Sequence, residues 1–458
     1  MILLMSLTPL KFDLNKHCPT FSPFVTKHKK FTAALSSLYV AAVVLVPTVL
    51  ASPASQTPPV TSAVSSIPKV TAFGSQRHVF SKKDGSLVAV WVSSSHQIMT
   101  ASSSDGVNWQ EASSPLVAES AENVAGALDQ GDNLHLAYES QGKIFYRVVS
   151  KDGSVSKAVP LDISGLAHRP TLILENSSGL PAVAWSSESG VGRIRQSKIG
   201  FMKAKGETTD LKNWCNAKGD SCGLPAYISF SGSADALNQS FTRAILHPVL
   251  AQMPQSNDFY LYWSDNSRKG NETLKLVIAK KEGAGWDWGS VQNVDGVGEE
   301  TFKNFTLAAV GDSGQNQVVI VYVGKDGSTK AVSYKADGGK SEISPSQNIG
   351  SQFSLASGEG KEFLFYRKDN GKIGLRQYNG AWSEELLETA NDGGYPSAIN
   401  GLINGKVPFI YTKPNGRVEF SSFTLAPAPT QTPEPTTEPT IAPTTIPTTP
   451  ATSSATPN

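Results

Sequence analysis

Short apolar segments that end in an aromatic residue recur seven times along this chain. The aromatic positions lie 44 to 78 residues apart, and a glycine suited to a tight turn stands six residues before four of them. The seven residues are Trp91, Tyr138, Trp185, Trp263, Tyr322, Tyr366 and Tyr411. This repeat constrains the fold more than any other feature, because repeated units must occupy equivalent places.

Each repeated unit has the pattern of several short strands. An apolar strand carries the aromatic residue, and a further apolar position about seven residues later indicates a following strand. Units of about 45 residues with four strands are typical of a β-propeller, in which neighbouring sheets bury each other's faces. We therefore predict an all-β propeller of mostly four-stranded antiparallel sheets. Seven blades fit best within a range of six to eight, and two stacked sandwiches are the alternative.

The ends of the chain differ in composition from residues 68–425, which carry the repeats. Within residues 1–51 a basic stretch precedes 21 mostly apolar residues, which predicts a signal peptide or an uncleaved membrane anchor. Residues 52–67 resemble a Pro/Ser/Thr-rich linker, and residues 426–458, with 9 Pro and 11 Thr, predict a disordered tail. The last unit supplies only three strands, so we predict that Lys69–Phe73 pairs with it and closes the ring.

These features predict an exported protein, extracellular or at the cell surface. The balance of 40 Lys+Arg against 39 Asp+Glu excludes the strong positive field typical of nucleic-acid binding. Cys215 and Cys222 predict a disulfide in an exported chain, with free thiols and a metal site as alternatives. We expect no metal, no cofactor, a monomer, and membrane contact only through an uncleaved N-terminal segment.

One turn motif carries a family resemblance. The segment from Ser103 to Trp109, Ser-Ser-Asp-Gly-Val-Asn-Trp, resembles the Asp-box of sialidase-like, BNR-repeat propellers. In such a turn Asp105 accepts backbone hydrogen bonds, Gly106 adopts a positive φ and Trp109 packs below. The resemblance implies that Ser103, Asp105, Gly106 and Trp109 are structural and face away from any active site. Ser150–Gly153 and Asp326-Gly327 repeat part of the motif.

The sialidase catalytic residues do not follow from this resemblance. That family has an arginine before Ile-Pro or Leu-Pro in the first blade, whereas this chain has Arg77-His78-Val79 there. The nearest match, His168-Arg169-Pro170, lies two units later. We therefore do not expect sialidase activity.

A set of polar residues has a common spacing from the aromatic positions. Arg169, His247 and Tyr395 each precede a proline and lie 16 residues before the aromatic, and Glu122 has the same offset. With the adjacent His168, we predict that they surround one axial opening without touching, so that only a ligand would join them. Histidine and tyrosine could transfer protons there, and arginine could neutralise a uronate carboxylate. The alternative is that these side chains serve the scaffold.

Three classes of function remain open. The favoured one is a recognition module that binds a glycan or a cell-surface protein. The second is a glycan-cleaving enzyme, a glycoside hydrolase or a uronate polysaccharide lyase, which resembles some propeller-type lyases. The third is a structural surface protein without a deep polar pocket. The fold alone does not choose between them, because propellers support many functions.

Overall fold

The computed structural model describes residues 61–66, 70–73, 76–189, 196–227, 246–265, 272–283, 285–297 and 307–425. The predicted signal or anchor segment and the predicted tail lie outside these residues. Within them, we find no helix with the length and apolar character needed to cross a bilayer.

The described chain is an all-β propeller of seven antiparallel blades, which confirms the predicted fold class. The first three blades consist of β2 (Val79–Ser81), β3 (Leu87–Val92), β4 (Ile98–Ser103) and β5 (Gln110–Glu111); β6 (Asn123–Leu128), β7 (Leu134–Ser140), β8 (Lys143–Val149) and β9 (Val159–Asp162); and β10 (Ala167–Leu174), β11 (Pro181–Ser189), β12 (Gln196–Ala204), β13 (Trp214–Cys215) and β14 (Ala226–Tyr227).

The remaining blades follow the same order, with the first strand of each blade nearest the axis. They consist of β15 (Val249–Gln252), β16 (Phe259–Asp265), β17 (Thr273–Glu282), β18 (Gly285–Trp288) and β19 (Gln292–Gly296); β20 (Ala308–Asp312), β21 (Gln317–Val323), β22 (Thr329–Lys335) and β23 (Lys340–Glu342); β24 (Ser351–Gly358), β25 (Lys361–Arg367), β26 (Lys372–Tyr378) and β27 (Leu387–Asp392); and β28 (Gly394–Ala398), β29 (Lys406–Thr412), β30 (Arg417–Thr424) and β1 (Thr61–Ser65).

The seven aromatic residues of the repeat lie on the second strand of their blades, as predicted. None of them is more than 3% exposed. Several also use their polar atom: Trp185 Nε1 donates to Asp162 at 2.8 Å, and the Tyr322 hydroxyl donates to Asp295 at 3.0 Å. A large ring with a satisfied polar atom fixes the packing of one blade on the next.

Close contact between blades also depends on glycine. A Cβ atom on Gly311, in β20, would stand 2.1 Å from the Gln252 carbonyl oxygen of the preceding blade. A Cβ on Gly126, in β6, would stand 2.6 Å from the Phe80 ring. At these two positions a side chain would force the neighbouring first strands apart.

The strand that pairs with β30 is not the one we predict from the sequence. It is β1, in which Val64 faces Val418 and Ser65 faces Arg417. This strand falls inside the predicted linker of residues 52–67. The prediction for Lys69–Phe73 is wrong, because Val70 and Thr71 form a turn; Lys69 itself lies outside the described residues.

The reason for this difference is the path that the chain must follow. A chain that leaves the outermost strand of blade seven has to return to the axis before blade one can begin. Residues 70–73 lie on that return path, and the Thr71 hydroxyl is 2.7 Å from the Thr412 hydroxyl of β29. Their apolar side chains are therefore buried without forming a strand.

The predicted disulfide is present at the edge of blade three. Cys215 ends β13, and its sulfur is bonded to that of Cys222, with a Cα–Cα distance of 3.9 Å. The bond closes a short loop just before β14, which pairs with β12 beside β13. It therefore stabilises the insertion that makes this repeat longer than its neighbours.

Candidate functional site

Three first strands begin with the same backbone irregularity. Arg169, Gln352 and Tyr395 have φ values of 55°, 57° and 54°, and each lies where the pairing with the second strand shifts register. A bulge with positive φ is uncommon for residues other than glycine, and it redirects the side chain. Arg169 and Tyr395 thus have equivalent positions, as predicted, and Gln352 shares them.

The offset rule is wrong for Glu122. The register places Val124 opposite Tyr138, and Glu122 precedes β6. Equal spacing does not give an equal position because the turns between first and second strands differ in length. Gln352 was missed for the same reason, and because a phenylalanine rather than a proline follows it.

Arg169 and His247 are in direct contact, contrary to the prediction that these side chains do not touch. Arg169 Nη1 donates a hydrogen bond to the His247 ring. The Phe73 ring stacks on His247 at 5.2 Å between centroids, and the Arg169 guanidinium lies 5.1 Å from the Phe73 centroid. Neighbouring blades three and four supply Arg169 and His247, and the N-terminal return path brings Phe73 against both.

The protonation states of this pair follow from its surroundings. Burial, and then the charge of Arg169, holds the pKa of His247 well below its usual value, so that the ring is neutral and accepts a hydrogen bond. Burial lowers the pKa of Arg169 to about 10, which leaves it cationic at neutral pH. His247 therefore orients the guanidinium without cancelling its charge.

His168 forms an ion pair with a buried carboxylate. Its Nδ1 atom is 2.6 Å from Glu139 Oε1, while the Arg169 amide and Asn123 Nδ2 donate to Oε2 at 2.9 and 2.6 Å. Burial opposes ionisation of Glu139, but these hydrogen bonds outweigh it and lower its pKa. The bond to Glu139 raises the pKa of His168, which favours imidazolium.

Glu122 lies beside this pair. Desolvation raises the pKa of Glu122, and the charge of Glu139 raises it further. Two neighbouring carboxyl groups thus have pKa values displaced in opposite directions, one favouring the acid and the other the anion. Sequence reasoning missed Glu139, although a charged residue directly after a buried aromatic position was the available signal.

Tyr395 is separate from this cluster. Its amide donates to Gln352 Oε1 at 2.9 Å, and its side chain is half-buried. Across the described ranges, no contact joins Tyr395 to Arg169 or His247. The described part of the chain also has no group of three or more His, Cys, Asp or Glu side chains placed to hold a metal ion.

The segment that resembles an Asp-box forms the turn between β4 and β5. Asp105 Oδ1 accepts hydrogen bonds from the Val107 and Asn108 amides at 2.8 and 2.7 Å, which lower its pKa. Gly106 has a φ of 75°, and Trp109 stacks on Phe420 at 4.5 Å. These are contacts within the scaffold. Asp326-Gly327 instead lies in the β21–β22 hairpin, so its position differs from that of Asp105.

Comparisons with known proteins place this chain by fold alone. No protein-family model matches it, and no curated protein matches it. Among solved structures, it is similar to the BP39L lectin of Burkholderia pseudomallei, with 13% identity, a TM-score of 0.54, and coverage of 76% of this chain and 96% of the lectin.

A second similar structure is a polysaccharide lyase, an ulvan lyase bound to -[GlcA(1-4)Rha3S]-. It shares 11% identity and a TM-score of 0.50, with coverage of 80% of this chain and 98% of the lyase. At these identities the likeness shows the fold. It does not establish the sialidase-like family that the Asp-box segment resembles.

Proposed function

We propose that this protein is an exported carbohydrate-recognition module that binds an acidic glycan where the first strands of its blades begin. The observation that carries the proposal is the adjacency of two cations on β10. Arg169 is oriented by a neutral histidine, and His168 is held as imidazolium by Glu139. A sugar carboxylate or sulfate would complement this charge.

The surrounding groups suit a sugar ligand. Guanidinium N–H groups form paired hydrogen bonds with carboxylates, which makes arginine suitable for uronates. The half-buried rings of Phe73 and Tyr395 offer faces on which sugar C–H groups can pack. The fold shared with a lectin and a polysaccharide lyase is compatible with this role.

Export and the nature of the partner belong to the same proposal. The Cys215–Cys222 disulfide suits an oxidising compartment, as does the basic and apolar segment within residues 1–51. A glycan on a cell surface or outside the cell is then the accessible partner, with a cell-surface protein as the alternative. We expect the protein to act as a monomer.

The proposal is tested by a glycan array containing uronate oligomers and sialosides, followed by titration calorimetry on the best ligand. Arg169→Gln should weaken binding by about tenfold or more, since a hydrogen bond to a charged group contributes about 1.5–3 kcal/mol. Arg417→Gln removes an exposed charge at the start of β30 and serves as the matched control. Equal affinity of native protein and Arg169→Gln would contradict the proposal.

A second function, glycan cleavage, is favoured by the carboxyl pair. Glu122 has a raised pKa and Glu139 a lowered one, the relationship expected of an acid beside an anion. Uronate polymers are the test substrates, with a lyase detected by the absorbance of unsaturated uronate and a hydrolase by new reducing ends. An enzyme should lose this activity in Glu122→Gln. Absence of product from the native protein would leave recognition alone.

A further inference from the structure

A cavity of about 730 Å³ occupies the axis of the propeller. The first strands of all seven blades line it. Its lining extends to Asn176, Ser313 and Asn400, which follow the ends of β10, β20 and β28. The cavity therefore reaches the end of the propeller opposite to Arg169, and its volume is within the range of small-molecule sites.

The charge of this cavity is one-sided. Among the described residues that line it, Arg77 is the one with an ionisable side chain; the others are apolar, glycine, or neutral polar residues. No aspartate or glutamate of the described lining balances the guanidinium. The cavity thus has a positive potential that the protein itself leaves uncompensated.

The guanidinium of Arg77 is held in place on one side only. Nη1 donates to the carbonyl oxygens of Leu355 and, at 3.1 Å, Ala398, which belong to blades six and seven. No described residue accepts a hydrogen bond from Nε or Nη2, and no described carboxylate forms an ion pair with Arg77. Leaving a cation in a protein interior without an anion is costly.

We infer that the axial cavity binds a small ligand through an oxyanion, the carboxylate or sulfate ester of that ligand, which pairs with Nε and Nη2 of Arg77. The two fixed carbonyl contacts hold the guanidinium plane, so that its remaining N–H groups present a fork to the anion. Ser357 and Asn400 lie in the same lining and offer neutral polar groups to the rest of the ligand. This site shares no residue with the one proposed around Arg169.

The first experiment uses the native full chain and ligand-observed NMR with glucuronate, glucose 6-sulfate and glucose. We expect saturable binding of at least one acidic sugar and none of glucose, and the sugar that binds identifies the anion. Absence of binding by both acidic sugars would overturn the inference, as would binding of glucose with equal affinity.

The second experiment assigns the site. Arg77→Gln should weaken binding by about tenfold or more, while Arg417→Gln should bind as the native protein does. If Arg77→Gln does not fold, Arg77→Lys keeps the cation, and the Nε–Hε resonance of Arg77 in the native protein provides an independent reading. That resonance should shift on saturation with the acidic sugar. A shift confined to Arg169 would move the binding to the other site and overturn the inference.

Discussion

Replacing Glu362 with glutamine should change how the stability of the propeller depends on pH. Glu362, on β25, and Asp312, at the end of β20, are each 1% exposed. Asp312 accepts hydrogen bonds from the Gly314 and Gln315 amides at 2.9 and 3.1 Å, and Gln317 donates to Glu362. Burial, and then the charge of Asp312, raises the pKa of Glu362 to about 8.

The sign follows from proton linkage. The folded protein holds the Glu362 proton up to a pH of about 8, whereas the unfolded chain releases it near the ordinary value of 4.5. Between these values the folded state binds more protons, so its stability is greatest at acid pH and falls as pH rises towards 8. At about 1.4 kcal/mol for each pKa unit, the loss amounts to about 5 kcal/mol.

Urea unfolding between pH 5 and pH 8.5 measures this effect. The native free energy of unfolding should fall by several kcal/mol over that range, and Glu362→Gln should remove most of the fall because its side chain stays neutral. Glu359→Gln, which alters an exposed carboxyl on the same hairpin, is the matched control and should keep the native dependence. Equal pH dependence in native protein and Glu362→Gln would refute the reasoning.

Three further predictions concern the scaffold. Gly311→Ala should lower the free energy of unfolding by about 1–3 kcal/mol, because its Cβ would collide with the Gln252 carbonyl; an unchanged urea midpoint would contradict this. Replacing Cys215 and Cys222 together with serine should cost about 2 kcal/mol while the circular dichroism stays native, and a loss of the β spectrum would show a larger role. Asp105→Ala should lower the melting temperature without changing glycan affinity, whereas weaker binding would assign Asp105 to the site.

The repeat could be predicted from sequence because its signal is local. A buried second strand needs consecutive apolar residues and a large ring, so Trp185 and Tyr411 carry the same pattern although they lie in different blades. The strand β1 gave no such signal, since its Thr-Ser-Ala-Val-Ser sequence resembles the linker around it. Its partner β30 lies about 350 residues away along the chain, a pairing that local patterns do not encode.

The candidate site could be predicted only in part. Proline after Arg169 and Tyr395 identified strand starts correctly, because proline is tolerated at the first residues of a strand. The contact between Arg169 and His247 depends on Phe73, which reaches them from the return path of the N-terminal segment. The ion pair with Glu139 joins two blades. Such contacts follow from the closed ring rather than from spacing along the chain.

A crystal structure of the native protein with an acidic oligosaccharide tests the central claim most directly. The ligand is the uronate oligomer or sialoside that binds best on the array. The account predicts a sugar carboxylate within about 3 Å of the Arg169 guanidinium, with His168 nearby and a sugar ring against Phe73 or Tyr395. An oligosaccharide bound between blades or on their outer strands, with Arg169 untouched, would contradict it.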